Sequence, residues 1–203
     1  MTSTDVAAVN RRTSGSTAAL EWWRRHCDPK TGDAGTRAEL RRCRSPVEAA
    51  GIAAALALAR RVGALRPAIR PGDPAVDAAL DLARVLAHVS QHADETLMRA
   101  AGWRTFAGDR KESDAGADRP RLSEVRFRRL LHTGAGEERV AAFTRLVALL
   151  GGTANVSQLA ADFLNWDHPD RGSRVRSRWA FDYYAAGAAA PSRASTTDEE
   201  YAE

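Results

Sequence analysis

The apolar residues of this chain recur at helical intervals along most of its length. Phe143, Val147 and Leu150 follow one another at three- or four-residue spacing, and Val175 and Trp179 continue the same pattern near the end. Such spacing places side chains on one face of an α-helix, whereas the strict alternation typical of a half-buried strand is absent from the sequence. The pattern therefore predicts an all-α fold.

Helix start signals divide the first half of the chain. The pairs Ser45-Pro46 and Asp73-Pro74 each combine a capping side chain with a proline at the first helical position. We expect these helices to run from Pro46 to about Val62 and from Pro74 as far as Trp103. Thr36, with Glu39 three residues later, has capping-box spacing and predicts a helix over 37–43.

The second half has its own start signals. Ser123 and Asn155 are candidate caps, and a last helix is expected from about Asp170. The segment 107–119 is rich in Gly and Asp and has no apolar period, which is typical of a loop. We therefore expect an N-terminal helical part packed with a C-terminal four-helix bundle. The predicted division is a flexible N-terminus (1–17), the N-terminal part (18–106), a mobile loop (107–120), the bundle (121–186) and a flexible acidic tail (187–203).

Composition narrows the class of protein. A chain of 203 residues with 44% hydrophobic residues can form a stable core without disulfides or a structural metal ion. Cys27 and Cys43 form no CxxC pattern, so neither a disulfide framework nor a zinc site is indicated. The first residues lack the apolar stretch of a signal peptide, and no apolar run approaches a membrane span. We expect a cytoplasmic protein that does not contact a membrane.

Arginine dominates the positive charge, since 28 of the 30 basic residues are Arg. A GC-rich genome explains such a bias without any function. Arginine is also the preferred residue for holding phosphates, because its planar guanidinium binds them bidentately. Placement decides between these interpretations. Three clusters stand on predicted helices or just after one: Arg37, Arg41, Arg42 and Arg44; Arg126, Arg128 and Arg129; and Arg171, Arg174, Arg176 and Arg178.

Acidic residues are scarce within the three clusters. Glu39 interrupts the first, while Glu124 and Asp170 precede the other two. Ion pairs between neighbouring turns of one helix therefore cannot neutralise most of these arginines. Arg145 is a further candidate, because its helix is otherwise apolar there. Unpaired arginines on rigid helices suit binding along a nucleic-acid backbone with little reading of the bases.

Four segments together resemble a known family. They are Trp22-Trp23, Gly-Thr-Arg-Ala-Glu-Leu-Arg-Arg (Gly35–Arg42), Leu-Ser-Glu-Val-Arg-Phe-Arg-Arg-Leu-Leu (Leu122–Leu131) and Trp-Ala-Phe-Asp-Tyr-Tyr (Trp179–Tyr184). Their order and spacing are similar to those of the CasB family, the small subunits of the type I-E CRISPR surveillance complex, Cascade. The resemblance covers residues 18–186 and neither tail.

The resemblance implies a non-catalytic protein with two helical parts and no cofactor. Its implied partners are the backbone and large subunits of Cascade, a second copy of itself arranged head to tail, and CRISPR RNA with target DNA. The implied role is to stabilise guide RNA–target DNA pairing and the displaced strand, the R-loop, in antiviral defence. Cleavage in such systems belongs to a separately recruited helicase-nuclease.

Site residues carry over by position. Arg41 and Arg42 match the family's basic pair after the first loop, and Arg145 matches a basic position in a later helix. The remaining matches are the central basic helix with Arg126, Arg128 and Arg129, and the stretch with Arg174 and Arg176. Arg37, from the first cluster, completes the predicted nucleic-acid-binding set. The large aromatics Trp22, Trp23, Phe127, Trp166 and Trp179 fall on apolar stripes and are expected in the core.

Two alternatives belong to other classes. His88 and His92 stand at a spacing that can hold a metal on a helix, but the glutamate of HExxH is missing and no third ligand is evident. We expect no metal site and no enzyme activity. The second alternative is a helix-turn-helix regulator using residues 155–182, whose last helix would present Arg174, Arg176 and Arg178 to a major groove.

Overall fold

Helices form nearly all the regular structure of the computed structural model, which describes residues 16–64, 72–104, 106 and 119–185. Helix α1 includes residues 16–26. It is followed by α2 (Ala34–Arg42), α3 (Pro46–Ala50), α4 (Ala53–Arg61), α5 (Pro74–Leu86), α6 (Leu97–Ala101), α7 (Glu124–Leu131), α8 (Glu137–Leu149), α9 (Val156–Asn165) and α10 (Arg171–Tyr183). The all-α prediction is confirmed.

Local capping chemistry sets several of the helix starts. The Ser45 hydroxyl accepts a hydrogen bond from the Glu48 N–H, and the Asp73 carboxylate accepts one from the Ala75 N–H. The Asn155 side chain does the same for Gln158. The predicted cap at Thr36 is wrong. Asp33 caps α2, because its carboxylate accepts the N–H groups of both Gly35 and Thr36, and the helix begins at Ala34.

Two predicted helices are shorter than expected. The helix from Pro46 breaks at Gly51, and Ile52 is extended (φ −103°, ψ 114°) before α4 begins. Alanine and leucine keep helical spacing on both sides of the break, so the periodicity of the sequence does not predict it. The helix from Pro74 ends at Leu86 rather than extending to Trp103.

A short β-pair follows the end of α5. Strands β1 (Gln91–His92) and β2 (Thr153–Ala154) pair in parallel, with Gln91 opposite Thr153. Gly152 precedes β2 with φ 80°, a conformation that favours glycine, and its carbonyl accepts the N–H of Ser90 at 2.7 Å. Two-residue strands carry no detectable alternation, which is why the sequence did not predict them.

Helix α5 lies at the centre of the protein. Every residue from Ala79 to Leu86 is buried, and the helix packs against α2, α3 and α4 on one side and α8 and α9 on the other. The main hydrophobic core extends from Ala19 in α1 to Tyr183 in α10, and a small second cluster contains Ala59, Ala64 and Ala79. The N-terminal part and the four helices α7–α10 therefore share one interior.

The predicted core aromatics are all buried. Trp22, Trp166 and Trp179 have no exposed surface, and Trp23 and Phe127 are at most 3% exposed. The indole N–H groups of these four tryptophans each find an acceptor, as when Trp22 donates to the Ala54 carbonyl at 2.7 Å. The expectation that these rings pack in the core rather than stack on nucleic acid is confirmed.

The predicted flexible segments fall almost entirely outside the described residues. Residues 16 and 17, which the sequence placed in the flexible N-terminus, already belong to α1. Residues 107–118 of the predicted loop and 187–203 of the predicted tail are not described. Among the helices that are described, none has the length and apolar character needed to cross a membrane.

Candidate nucleic-acid interface

Two arginines of the first cluster cap the end of α5. The Nε atoms of Arg37 and Arg41 both donate to the Ala87 carbonyl, at 3.2 and 2.8 Å, and Nη2 of Arg37 also donates to the Ser90 hydroxyl at 3.3 Å. Ala87 is the C-cap of α5. The two cations therefore satisfy an acceptor at the negative end of the helix dipole.

Arg41 nevertheless keeps part of its guanidinium available. Its side chain is exposed, and its Nη atoms contact no acceptor among the described residues. Partial burial, together with the charge of Arg37, lowers its pKa from the usual arginine range. The bond through Nε restrains the guanidinium and leaves its two outer nitrogens without an acceptor in the same ranges. Arg42, the next residue, is exposed and has no partner in the described part of the chain.

His88 lies directly beside this pair. It is half-buried and adjoins the carbonyl that anchors both arginines. Burial lowers its pKa, and the positive charges of Arg41, Arg37 and Arg84 lower it further. Its surroundings therefore favour the neutral imidazole over the protonated one.

The second cluster occupies the exposed face of α7. Phe127 and Leu130 are buried, while the three arginines Arg126, Arg128 and Arg129 are exposed. Arg128 forms a long contact of 3.5 Å with Glu124 one turn earlier. Arg126 and Arg129 have no partner among the described residues. Arg145 resembles them: it is exposed on α8 and unpaired within the same ranges, while Phe143, Leu146 and Val147 face the core.

Most arginines of the third cluster bond to other residues of the protein. Arg176 donates from Nε to the Leu131 carbonyl at 2.8 Å, and its guanidinium lies 4.7 Å from the Trp166 ring centre. Arg178 pairs with the buried Asp162, and Arg171 donates to the Asn165 side chain. Arg174 alone is exposed and has no partner in the described ranges.

Asp162 explains why Arg178 cannot face outward freely. This carboxylate is 1% exposed and accepts hydrogen bonds from Arg178 and from the Trp179 indole. Burial raises its pKa, while Arg178 and Trp179 oppose that rise. The scarcity of acids inside the cluster had suggested unpaired arginines. The partners lie on α9 and at the end of α7, where sequence spacing does not reveal them.

Five of the nine predicted site residues keep a guanidinium with no partner in the described part of the chain, and we term them the free arginines: Arg42, Arg126, Arg129, Arg145 and Arg174. Of the other four, Arg37 and Arg176 are bonded to backbone carbonyls, Arg41 is anchored but partly available, and Arg128 is weakly paired. The free arginines stand on α2, α7, α8 and α10, which all pack on the same core.

The predicted histidine pair does not share a helix. His88 follows the end of α5 and His92 lies in β1, so the four-residue spacing does not place them on one helical face. The Nδ1 atom of His92 accepts the Val156 N–H at 3.2 Å. Within the described ranges, no group of three or more His, Cys, Asp or Glu side chains is arranged to hold a metal.

Some exposed residues escaped the sequence analysis. Arg24, Arg25 and Arg60 are exposed on α1 and α4 without a partner among the described residues, and adjacent basic pairs at 24–25 and 60–61 were the signal. Phe181 was also missed. It is 63% exposed on α10, between the buried Trp179 and Tyr183.

A comparison with protein families complements this geometry. The family described as CRISPR-associated protein Cse2 matches residues 36–184, which include α2 through α10 except the first two residues of α2. No curated protein and no solved structure matches the chain significantly. The match covers well over half of the chain and contains every predicted site residue. The chain therefore belongs to the Cse2 family of CRISPR-associated proteins, the CasB small subunits of type I-E Cascade.

Proposed function

We propose that this chain is a non-catalytic small subunit that binds nucleic-acid backbone within Cascade through its free arginines. It would stabilise guide RNA–target DNA pairing and the displaced strand of the R-loop. Family membership supports the assembly. The observation that carries the binding role is the set of five exposed guanidiniums without a partner in the described ranges, on helices that share a core.

The chemistry of the free arginines suits phosphate. A guanidinium that makes no internal bond can bind a phosphate without first losing a protein contact, and it binds bidentately. Contacts of this kind release counterions and are insensitive to sequence. A role in supporting an R-loop requires such tolerance, because base pairing with the guide supplies the sequence reading.

The predicted site divides into two groups. The free arginines and the anchored Arg41 are proposed to contact phosphates. Arg128 joins them, because its 3.5 Å pair with Glu124 is solvent-exposed and contributes little. Arg37 and Arg176 are assigned to structure, since each would have to break a bond to a backbone carbonyl before binding a ligand.

The helix-turn-helix alternative gains no support from α10. Its recognition helix would need Arg176 and Arg178 in a groove, whereas these residues bond to Leu131 and Asp162. Trp179 and Tyr183 on the same helix are buried.

We propose protein partners on the basis of family membership. They are the backbone and large subunits of Cascade and a second copy of this chain.

The test is an R-loop measurement with the assembled complex. We expect Arg126→Ala/Arg129→Ala and Arg42→Ala to bind target DNA more weakly than the parent at elevated salt. Each lost phosphate contact should reduce the slope of log K against log[salt] by about 0.7–0.9. The matched control is Arg24→Ala/Arg60→Ala, which removes the same charge from two exposed arginines that are not among the predicted site residues.

Two results would contradict the proposal. One is parental binding and an unchanged salt slope in the α7 double variant, with assembly intact. The other is an equal loss in the control variant, which would show that net charge rather than placement is responsible.

A further inference from the structure

Phe181 has an exposure that the fold does not explain. Its ring is 63% exposed, whereas Trp179 and Tyr183, two residues away on either side, have no exposed surface. A separation of two residues turns a helix by about 200°, so Phe181 points away from the core that its neighbours fill.

The free arginine Arg174 shares this outward face of α10. Seven residues separate it from Phe181, which corresponds to nearly two full turns and about 10.5 Å along the helix axis. Arg178 lies between them, 48% exposed and fixed by its ion pair with Asp162. Ser177, also exposed, is the remaining residue of this face between the two ends.

The surroundings of Phe181 indicate what could cover it. On α10 the ring has Ser177 and Arg178 one turn before it and the partly buried Tyr184 one turn after it, so its neighbours on the helix are mostly polar. An exposed aromatic ring on the same helix face as an unpaired guanidinium is typical of surfaces that bind single-stranded nucleic acid, where unpaired bases stack on the ring and arginine holds the backbone.

We propose that the outward face of α10 is a binding site for single-stranded nucleic acid, in which Phe181 stacks on an unpaired base and Arg174 binds a phosphate. The site adds a contact to bases to the backbone contacts of the proposed function, on which it rests. Paired bases within a duplex are not available for stacking, so this face distinguishes a single strand from a duplex.

The experiment uses the full chain and two fluorescent strands of equal length. One is oligothymidylate, and the other is an abasic strand with the same phosphates and no bases. Phe181→Ala should weaken oligothymidylate binding about fivefold or more, the effect expected for losing one stacked base, and leave abasic binding unchanged. Phe181→Leu should lose nearly as much, whereas Phe181→Trp should retain binding.

Two matched variants separate stacking from charge and from general apolar exposure. Arg174→Ala should weaken binding of both strands and reduce the salt slope. Val125→Ala, which changes another exposed apolar side chain at 60% exposure on α7, should bind both strands as the parent does.

Several results would overturn the site. They are equal loss of abasic and oligothymidylate binding in Phe181→Ala, full binding by Phe181→Leu, and failure of the parent to bind oligothymidylate at low salt. Weaker R-loops in the α7 variants, together with unaffected strand binding in Phe181→Ala, would reject this site and keep the proposed function. Parental behaviour in both sets of variants would reject both.

Discussion

Arg84 on α5 and Glu137 on α8 form a bidentate ion pair, with Nη1–Oε1 at 2.5 Å and Nη2–Oε2 at 2.9 Å. The same guanidinium donates to Asp81 at 2.8 Å and to the Cys43 carbonyl at 3.1 Å. One side chain thus connects the loop after α2, helix α5 and the start of α8. The hydrogen bond that Glu137 accepts from Arg84 is the main cause of the lowered pKa of Glu137.

Arg84→Met should destabilise the protein strongly. Arg84 is 5% exposed and Asp81 2%, so the change leaves a buried carboxylate without its cation, at a cost of about 3–5 kcal/mol. Glu137→Gln is the comparison: its side chain is 58% exposed, and its removal as an anion should cost about 1 kcal/mol or less. Urea unfolding followed by circular dichroism measures both. Equal losses in the two variants would show that burial of Asp81 is not decisive.

The assignment of arginines to structure or to binding predicts effects of different size on stability. Arg176→Ala should lower the free energy of unfolding by about 1–3 kcal/mol, because it removes the bond to Leu131 and the contact with Trp166. Arg129→Ala, on the exposed face of α7, should change it by no more than about 0.5 kcal/mol. Thermal unfolding of the two variants decides the matter, and the reverse order would exchange their assignments.

His88 should make stability depend on pH on the acid side. Its folded pKa lies below the ordinary 6.5, so the unfolded chain takes up a proton first as pH falls. Stability contributed by neutral His88 is present above about pH 6.5 and is lost as pH falls through that value towards the folded pKa.

His88→Gln should therefore lose less stability than the parent between pH 7.5 and about pH 5.5. Urea unfolding at the two pH values measures the difference, and His132→Gln, at an exposed position, is the control. The charges that face His88 are Arg37 and Arg41 from α2 and Arg84 from α5. An identical pH dependence in the parent and His88→Gln would refute the assignment.

Gly102 should not tolerate a side chain. A Cβ atom there would lie 2.3 Å from the Tyr183 carbonyl oxygen and 2.6 Å from its Cα, both backbone atoms that cannot rotate away. The same carbonyl accepts the Trp103 N–H at 2.7 Å, so a shift would also strain that bond. Gly102→Ala should cost about 1–3 kcal/mol or more in thermal unfolding. Gly35→Ala, whose nearest neighbour is the Asp33 side chain at 3.3 Å, should cost less than about 1 kcal/mol.

Features that depend on nearby residues were predictable from sequence. The caps at Ser45, Asp73 and Asn155 each bond within three residues, so a short window contains both partners. The burial of the five large aromatics followed from spacing alone. Thr36 failed as a cap because Asp33, a stronger acceptor three residues earlier, was available to start the helix.

Features that depend on distant residues were not predictable. Arg41 and Ala87 are 46 residues apart, and Arg176 and Leu131 are 45 apart, so no local pattern indicates that these guanidiniums bond to carbonyls. The strands β1 and β2 consist of two residues each and owe their pairing to the approach of α5 and α8. The clusters located the charges, but only the fold shows which of them remain available.

Helix α5 also determines how the protein can unfold. It supplies interior surface to the helices on both of its sides, so neither the helices before it nor those after it could keep a closed core if it melted. Loss of structure is therefore expected to be a single cooperative event rather than two separate ones. Folding already fixes the distances between α2, α7 and α10. The accompanying loss of conformational entropy therefore occurs before any strand is bound and does not weaken binding.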